Sequence, residues 1–274
     1  MEGVTLHLLE WGDPEGRPVL LVHGMRGHAR WFTPVGPALA QRYRALSLDL
    51  RGHGESSHSP PYGPHTYADD VVALIDALSL DGLILVGHSM GGGVTVRAAA
   101  CLGDRLSALV LVDSNFIGGP PPEAERARRE RLAARGEREP RELSVFGSWE
   151  QARSRFALRP GSTVASGELL DHLAHHALRE LPEGGYVWRF DPQLPSFPRG
   201  RFEPPDPSRI TCPVGLIFGA ESPIRQRIDL DTLRGGFTSA RFTELEIIDG
   251  AHHHVFLDRP AEFNRALLAF LTRV

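Results

Sequence analysis

The chain has 274 residues, of which 41% are hydrophobic, and a formal net charge of −4. A chain of this length and composition buries a full hydrophobic core, either as one large domain or as a domain with an insertion. The basic residues are scattered among acidic ones and form no basic stripe, which argues against nucleic acid as a partner. All 30 of them are arginine, so lysine chemistry such as Schiff-base formation is excluded.

No apolar run approaches the length of a membrane span, and the first residues, Met1 to His7, lack the basic and apolar regions of a signal peptide. We therefore expect a soluble, cytoplasmic protein without a membrane partner. Its two cysteines, Cys101 and Cys212, are too few for a disulfide framework, and neither is expected to be a nucleophile.

Short apolar runs rich in Val, Leu and Ile predict strands, several of them buried on both faces. In chain order these runs are Val4–Leu9, Pro18–Val22, Ala45–Leu50, Leu83–Val86, Ala108–Val112, Val214–Phe218 and Phe242–Ile248. Helical patterns lie between or after them, at Trp31–Gln41, Thr66–Leu80 (with Thr66 as its cap), Gly91–Leu102 and Pro260–Arg273. The alternation predicts an α/β fold, with a mostly parallel, doubly wound sheet covered by helices on both faces.

This alternation stops after Val112 and resumes at Ile210. About a hundred residues without alternating strand and helix patterns predict an insertion. We expect residues 1–113 and 209–274 to form the core and residues 114–208 to form a mainly helical cap. The charged run Glu123–Arg141 within the insertion is expected to be a solvated helix face.

Ser89 lies in a Gly-x-Ser-x-Gly motif between a predicted strand and an alanine-rich helix. This order is typical of a nucleophile elbow, a sharp turn with an exposed serine at its apex. The glycines on either side, Gly87 and Gly91, are needed because a Cβ there would collide with the neighbouring turn.

Four short motifs follow predicted strands in a fixed order. They are His23-Gly24, the segment Asp49–Ser56, the turn Gly87–Gly92 and a histidine cluster at residues 252–254. With these motifs the chain resembles the α/β-hydrolase superfamily over its whole length. The segment Gly184–Pro192 is similar to a cap-domain pattern of some bacterial hydrolases. The resemblance implies an α/β-hydrolase fold with a cap, a small-molecule substrate and no cofactor.

A serine hydroxyl near pH 7 needs a base to take its proton and a carboxylate to orient that base. The loop Gly250–Pro260 offers three contiguous histidines. Similar hydrolases have Gly-x-x-His followed by apolar residues and an acid before proline, a pattern that selects His253 as the base. His252 and His254 are alternatives, otherwise expected to pack or hydrogen-bond around it.

The acid departs from the usual pattern of the superfamily. Its ordinary position after the penultimate strand holds Ser222, which carries no charge. We predict Asp113, at the end of the strand after the nucleophile helix, because some family members supply the acid from there. Glu221 is the alternative acid, and Ser222 is expected to be a hydrogen-bonding helper. Asp113 could instead cap the following turn.

Two backbone amides are expected to hold the oxyanion, those of Met90 after the nucleophile and Met25 after His23-Gly24. The motif histidine His23 is expected to stabilise its turn rather than carry protons. The substrate pocket is predicted to involve motif residues and aromatic residues of the insertion, namely His23, Gly24, His88, Phe116, Trp149 and Trp188.

We predict no metal site. Side chains of adjacent histidines diverge, which argues against a metal at residues 252–254. His172, His175 and His176 have helical spacing, but no fourth ligand lies at a recognisable distance along the sequence.

Serine at position 89 separates the chain from haloalkane dehalogenases and epoxide hydrolases, which use aspartate as nucleophile. The prediction is therefore a serine hydrolase that cleaves a small to medium, partly apolar carboxylic ester through an acyl-enzyme. A thioesterase, a lactonase or a C–C bond hydrolase would use the same residues. A ligand receptor or regulator on a hydrolase scaffold is the alternative of another class. The oligomeric state is not predicted.

Overall fold

The computed structural model describes residues 3–115, 130, 144–194 and 205–274. Phe116 and the charged run Glu123–Arg141, apart from Glu130, lie outside the described residues. Elements are numbered along the described part of the chain.

The central feature is a seven-stranded sheet. Its strands are β1 (Leu8–Trp11), β2 (Pro18–Val22), β3 (Arg44–Leu48), β4 (Leu83–His88), β5 (Leu106–Val112), β8 (Val214–Gly219) and β9 (Thr243–Ile248). Their order in the sheet is β1-β3-β2-β4-β5-β8-β9. Strand β1 pairs antiparallel with β3, and the other pairs are parallel. A separate antiparallel pair consists of β6 (Leu178–Glu180) and β7 (Tyr186–Trp188).

The α-helices of the described part follow the strands in alternation. They are α1 (Gly36–Leu39), α2 (Pro64–Ala77), α3 (Met90–Leu102), α4 (Trp149–Arg155), α5 (Gly167–Ala177), α6 (Leu230–Gly235), α7 (Val255–Asp258) and α8 (Pro260–Leu271). None of the described helices has both the length and the apolar character that crossing a bilayer demands.

Two hydrophobic clusters pack on the two faces of the sheet. Leu20 and Leu85 point into the cluster that includes α2 and α3. Their chain neighbours Leu21 and Val86 point into the opposite cluster, which includes α8. Because successive side chains of a strand alternate between faces, β2 and β4 must be apolar throughout to fill both clusters. The chain thus has the α/β architecture that its sequence predicts.

Two elements near the N-terminus differ from the prediction. The first strand is Leu8–Trp11 rather than Val4–Leu9, because Thr5 bonds instead to Ser57 in the loop after β3. The predicted helix Trp31–Gln41 is divided into a 3₁₀ turn, Ala29–Phe32, and the short α1. Pro34 lies between the two pieces and has no N–H for a continuous helical ladder.

The start of α2 also differs, because Gly63 is its N-cap residue and Pro64 its first residue. Thr66 is therefore inside the first turn and does not cap the helix. Proline is favoured at the first helical position because its fixed φ suits the helix and its missing N–H costs no bond there.

The segment between β5 and β8 contributes α4, α5 and the pair β6–β7. It is held against the core by hydrogen bonds from Asp191 N–H to the Gly52 carbonyl, at 2.8 Å, and from His58 Nε2 to the Arg189 carbonyl, at 2.8 Å. Leu173 of α5 also joins one of the two core clusters. The boundaries of a cap at residues 114 and 208 remain a prediction.

Candidate active site

Ser89 occupies the sharp turn between β4, which ends at His88, and α3, which begins at Met90. Its backbone angles are φ 53° and ψ −118°. A non-glycine residue rarely adopts such a conformation, and strain of this kind concentrates at functional sites. The side chain is half-buried at the carboxyl end of the parallel strands, where ligands bind in open α/β sheets.

The glycines around Ser89 are required by close packing. A Cβ on Gly87 would lie 2.3 Å from Thr95 Oγ1, and one on Gly91 would lie 2.4 Å from the Val22 carbonyl oxygen. Both distances are far below van der Waals contact. The motif spacing predicted from the sequence is therefore the spacing that this turn needs.

His253 lies between Ser89 and Asp113. Its Nε2 is 2.9 Å from Ser89 Oγ, and its Nδ1 is 2.9 Å from Asp113 Oδ1. A carboxylate only accepts, so Nδ1–H donates to Asp113 and Nε2 presents its lone pair to the serine hydroxyl. This is the tautomer that a general base requires.

Asp113 follows the last residue of β5 and is fully buried. Its Oδ2 accepts from the Gly219 N–H at 3.0 Å, and its Oδ1 accepts from Ser222 Oγ at 2.6 Å. Together with His253 these donors fix the orientation of the carboxylate. The alternative acid, Glu221, is exposed to solvent, and its backbone N–H bonds to the Ala251 carbonyl. Of the two candidates, Asp113 is the one hydrogen-bonded to His253.

The two predicted oxyanion amides belong to segments that meet at Ser89. Met90 is the first residue of α3, where backbone N–H groups have no acceptor within the helix. Met25 follows Gly24, and a Cβ on Gly24 would lie 3.1 Å from Ser89 Cβ. A hydrogen bond of 3.0 Å from Gly27 N–H to the Gly24 carbonyl closes the turn that contains Met25.

His23 stabilises this turn through two hydrogen bonds. Its Nδ1–H donates to the Gly24 carbonyl at 2.7 Å, and its Nε2 accepts from the Leu50 N–H at 3.1 Å. Burial lowers the pKa of His23, consistent with this neutral form. Its side chain has no exposed surface.

His88 is likewise buried and contacts the backbone of His253. Its Nε2–H donates to the His253 carbonyl at 3.0 Å. Burial, with the neighbouring His253 and His254, holds the pKa of His88 well below its ordinary value. The side chain is 1% exposed, so it offers almost no surface to a pocket.

The two tryptophans of the insertion make different ring contacts. Trp149 packs inside the insertion, stacked on His175 with 3.9 Å between ring centroids. Trp188 stacks on Phe190 at 5.4 Å, and the guanidinium of Arg26, beside Met25, lies 5.0 Å from the Phe190 ring. Trp188 is thus connected to the Ser89 region, whereas the contacts of Trp149 are with its own segment.

The histidines of α5 do not share one site. His175 faces Trp149, whereas the rings of His172 and His176 meet edge to face at 4.8 Å. In the described part of the chain, the histidines that do converge are His88, His253 and His254. Sequence reasoning missed this group because His88 is far from the other two along the chain.

Ser114 was also missed. Its Oγ donates to the Ser89 carbonyl at 2.7 Å. A Cβ on Gly92 would lie 2.1 Å from this same hydroxyl oxygen, so Gly92 makes room for the contact. The only sequence signal was the position of Ser114 directly after Asp113.

The chain is similar to known hydrolases. A protein-family model described as "Alpha/beta hydrolase family" matches residues 19–266. A zebrafish (Danio rerio) serine hydrolase-like protein is 30% identical over 191 residues, which are 66% of this chain and 57% of that protein. The mouse (Mus musculus) sn-1-specific diacylglycerol lipase ABHD11 is 28% identical over 280 residues, 98% of this chain and 85% of that protein. A solved thioesterase domain from the curacin biosynthetic pathway has 26% identity and a TM-score of 0.80, over 98% of this chain and 96% of that one.

Proposed function

Because the chain belongs to the alpha/beta hydrolase family, we propose that it hydrolyses carboxylic esters through a covalent acyl-enzyme on Ser89. The observation that carries this proposal is the continuous hydrogen-bond chain from Ser89 through His253 to Asp113, with 2.9 Å at each step. Nucleophile, base and orienting acid are the three groups that acyl transfer by serine needs.

In this mechanism Ser89 Oγ attacks the ester carbonyl while His253 Nε2 takes the hydroxyl proton. The imidazolium that forms is stabilised by Asp113 and then gives its proton to the departing alkoxide. Water, activated by the same histidine, attacks the acyl-enzyme and releases the acid. The buried carboxylate fixes the tautomer and orientation of the ring and does not itself take the proton.

The negative charge that develops on the carbonyl oxygen is assigned to the amides of Met25 and Met90. Both belong to segments packed against Ser89, so they need no rearrangement when the charge appears. The N-terminus of α3 adds the favourable field of its helix dipole.

The substrate is proposed to be small to medium in size and partly apolar. The stacked rings of Trp188 and Phe190 offer an apolar wall near the turn that contains Met25. Thioesters are a second substrate class, favoured by the likeness to a solved thioesterase domain. They would use the same nucleophile and base.

Hydrolysis of p-nitrophenyl esters of graded acyl length, by the wild type and by Ser89→Ala, tests the proposal. We expect turnover with an optimum acyl length in the wild type and loss of at least about 10³-fold in the variant. An acyl thioester of the optimum length, measured in parallel, ranks the two substrate classes. Equal activity of both proteins would refute the mechanism, and binding of the esters without turnover would favour the receptor alternative.

A further inference from the structure

Three histidine rings form a triangle behind Ser89. The ring centroids are 4.7 Å apart for His88 and His253, 4.9 Å for His253 and His254, and 5.3 Å for His88 and His254. One nitrogen from each residue lies within 4.8 Å of the other two. All three side chains are buried, with exposures of 0–2%.

The N–H donations of two of these rings fix which nitrogen of each ring carries the lone pair. His253 donates Nδ1–H to Asp113, which leaves the lone pair on Nε2. His88 donates Nε2–H to the His253 carbonyl, which leaves the lone pair on Nδ1. A histidine that ligates a metal almost always donates its other N–H to a carboxylate or a carbonyl in this way.

Both of these nitrogens lie near Ser89. His253 Nε2 is 2.9 Å from Ser89 Oγ. A Cβ on Gly24 would lie 3.0 Å from His88 Nδ1 and 3.1 Å from Ser89 Cβ, so Gly24 lies beside both this nitrogen and the serine.

His254 is the third ring of the triangle, and its two nitrogens form no hydrogen bond in the described part of the chain. His88 Nδ1 and both ring nitrogens of His254 are buried without a hydrogen-bond partner there. A buried polar atom without a partner is destabilising, and binding of a ligand would remove that cost.

We propose that His88, His253 and His254 form a binding site for a divalent transition metal of the Zn²⁺ class, and that the bound metal inhibits hydrolysis by occupying His253 Nε2. The binding claim stands on the three rings alone, whereas the inhibition claim rests on the proposed function. Imidazole ligands suit Zn²⁺, Co²⁺, Ni²⁺ and Cu²⁺, whereas Mg²⁺ and Ca²⁺ require oxygen ligands.

Metal binding requires the three ligand nitrogens to move closer together. Tetrahedral Zn²⁺ holds nitrogen ligands at about 2.1 Å, which places neighbouring nitrogens about 3.4 Å apart. The three nitrogens lie within 4.8 Å of one another before the ion binds. Asp113 accepts the Nδ1–H on the other side of the His253 ring, and Ser89 Oγ, 2.9 Å from His253 Nε2, is a candidate fourth ligand.

The test uses the full chain after removal of metals with EDTA. Zn²⁺ binding is measured by calorimetry, and Co²⁺ binding by the visible absorption of the ion, for the wild type, His254→Phe and His252→Phe. Phenylalanine keeps a ring beside Trp31, which His254 contacts edge to face at 5.1 Å. His252 is the matched control because it is the chain neighbour outside the triangle. MgCl₂ at equal ionic strength controls for charge effects.

We expect one Zn²⁺ to bind the wild type and His252→Phe, and at least about tenfold weaker binding to His254→Phe. Hydrolysis of a p-nitrophenyl ester by the wild type should be reversibly inhibited by Zn²⁺ over the same concentration range. Equal affinity of His254→Phe and the wild type would overturn the proposal, as would a wild type that binds no Zn²⁺.

A second measurement needs no substitution, in case His254→Phe does not fold. A fluorophosphonate adduct on Ser89 would block access to His253 Nε2, so the modified wild type should bind one Zn²⁺ fewer than the free protein. An unchanged stoichiometry would contradict the site. Calorimetry requires no substrate, so a failure of the proposed ester hydrolysis would remain distinguishable from a failure of the metal site.

Discussion

Ser222 Oγ lies 2.6 Å from Oδ1 of Asp113, and this bond joins the ends of two neighbouring parallel strands, β5 and β8. The usual superfamily acid would stand at the Ser222 position. Here the carboxylate of Asp113, directly after β5, is hydrogen-bonded to His253, and a hydroxyl after the end of β8 donates to that carboxylate. The carboxylate thus follows one strand and its hydrogen-bond donor follows the other.

Replacing Asp113 with Asn should lower kcat by about 10³- to 10⁴-fold, because the amide would present the wrong tautomer of His253 to the serine. Glu221→Gln is the matched control, since Glu221 is exposed, and it should change kcat by less than about twofold. Steady-state kinetics with one p-nitrophenyl ester gives both values. The reverse ranking would move the acid to the later loop.

Ser222→Ala should have a smaller effect than Asp113→Asn. The carboxylate would keep the bonds to His253 and to the Gly219 N–H, but it would be less firmly oriented. We expect kcat to fall by about tenfold, which corresponds to about 1.4 kcal/mol of lost transition-state stabilisation. KM should be nearly unchanged. A loss as large as that of Asp113→Asn would mean that Ser222 contributes more than orientation.

Gly91→Ala should destabilise the fold as well as the active site. The added methyl carbon would lie 2.4 Å from the Val22 carbonyl oxygen, which belongs to the backbone of β2. Overpacking of this kind costs about 1–3 kcal/mol. Urea unfolding measures the change, with Gly167→Ala on α5 as the control.

A Cβ on Gly167 would have no heavy atom within 4 Å. In that control, alanine should leave stability unchanged or raise it by up to about 1 kcal/mol, owing to its higher helix propensity. Equal stability of Gly91→Ala and the wild type would show that the turn has more room than the structure indicates.

Stability should fall on acidification because of buried histidines. Burial lowers the pKa of His28 to about 3, and its Nε2–H donates to the Leu173 carbonyl at 3.1 Å. The unfolded chain, with a histidine pKa of about 6.5, binds this proton first. Between these two values the unfolded state holds more protons, so the free energy of unfolding decreases as the pH falls, by up to about 1.4 kcal/mol per pH unit for one such group.

His28→Gln keeps an N–H donor and removes the titrating ring. Urea unfolding at pH 7 and pH 5 should therefore show a smaller loss of stability in this variant than in the wild type. The same substitution at the exposed His65 serves as the control and should retain the wild-type loss. Identical losses in all three proteins would refute the assignment to His28.

The buried strands could be predicted well because their composition is forced by burial on two faces. Strand β2 begins and ends at the predicted residues, and β4 begins at the predicted Leu83. The segment 31–41 was harder, since its apolar spacing resembles one helix and its division depends on Pro34. The start of the first strand depends on the contact of Thr5 with Ser57, which no local pattern contains.

Among the candidate site residues, Ser89 and His253 could be predicted because each lies in a local pattern with a fixed spacing. The contacts that hold them could not be read in this way. The bond from His88 to the His253 carbonyl joins residues 165 apart in the chain, and its partner is a backbone atom that any residue would offer. Burial of His23 and His88 likewise follows from packing, which the sequence of a turn does not specify.

The central claim is that Ser89 is the nucleophile of an acyl-transfer site activated by His253. Its most direct measurement is mass spectrometry of the protein after reaction with a fluorophosphonate, with mapping of the modified peptide. We predict a single adduct on Ser89, absent in Ser89→Ala and formed much more slowly in His253→Ala, with ester hydrolysis lost in step with labelling. An adduct on another residue, or hydrolysis that persists after complete labelling of Ser89, would contradict the account.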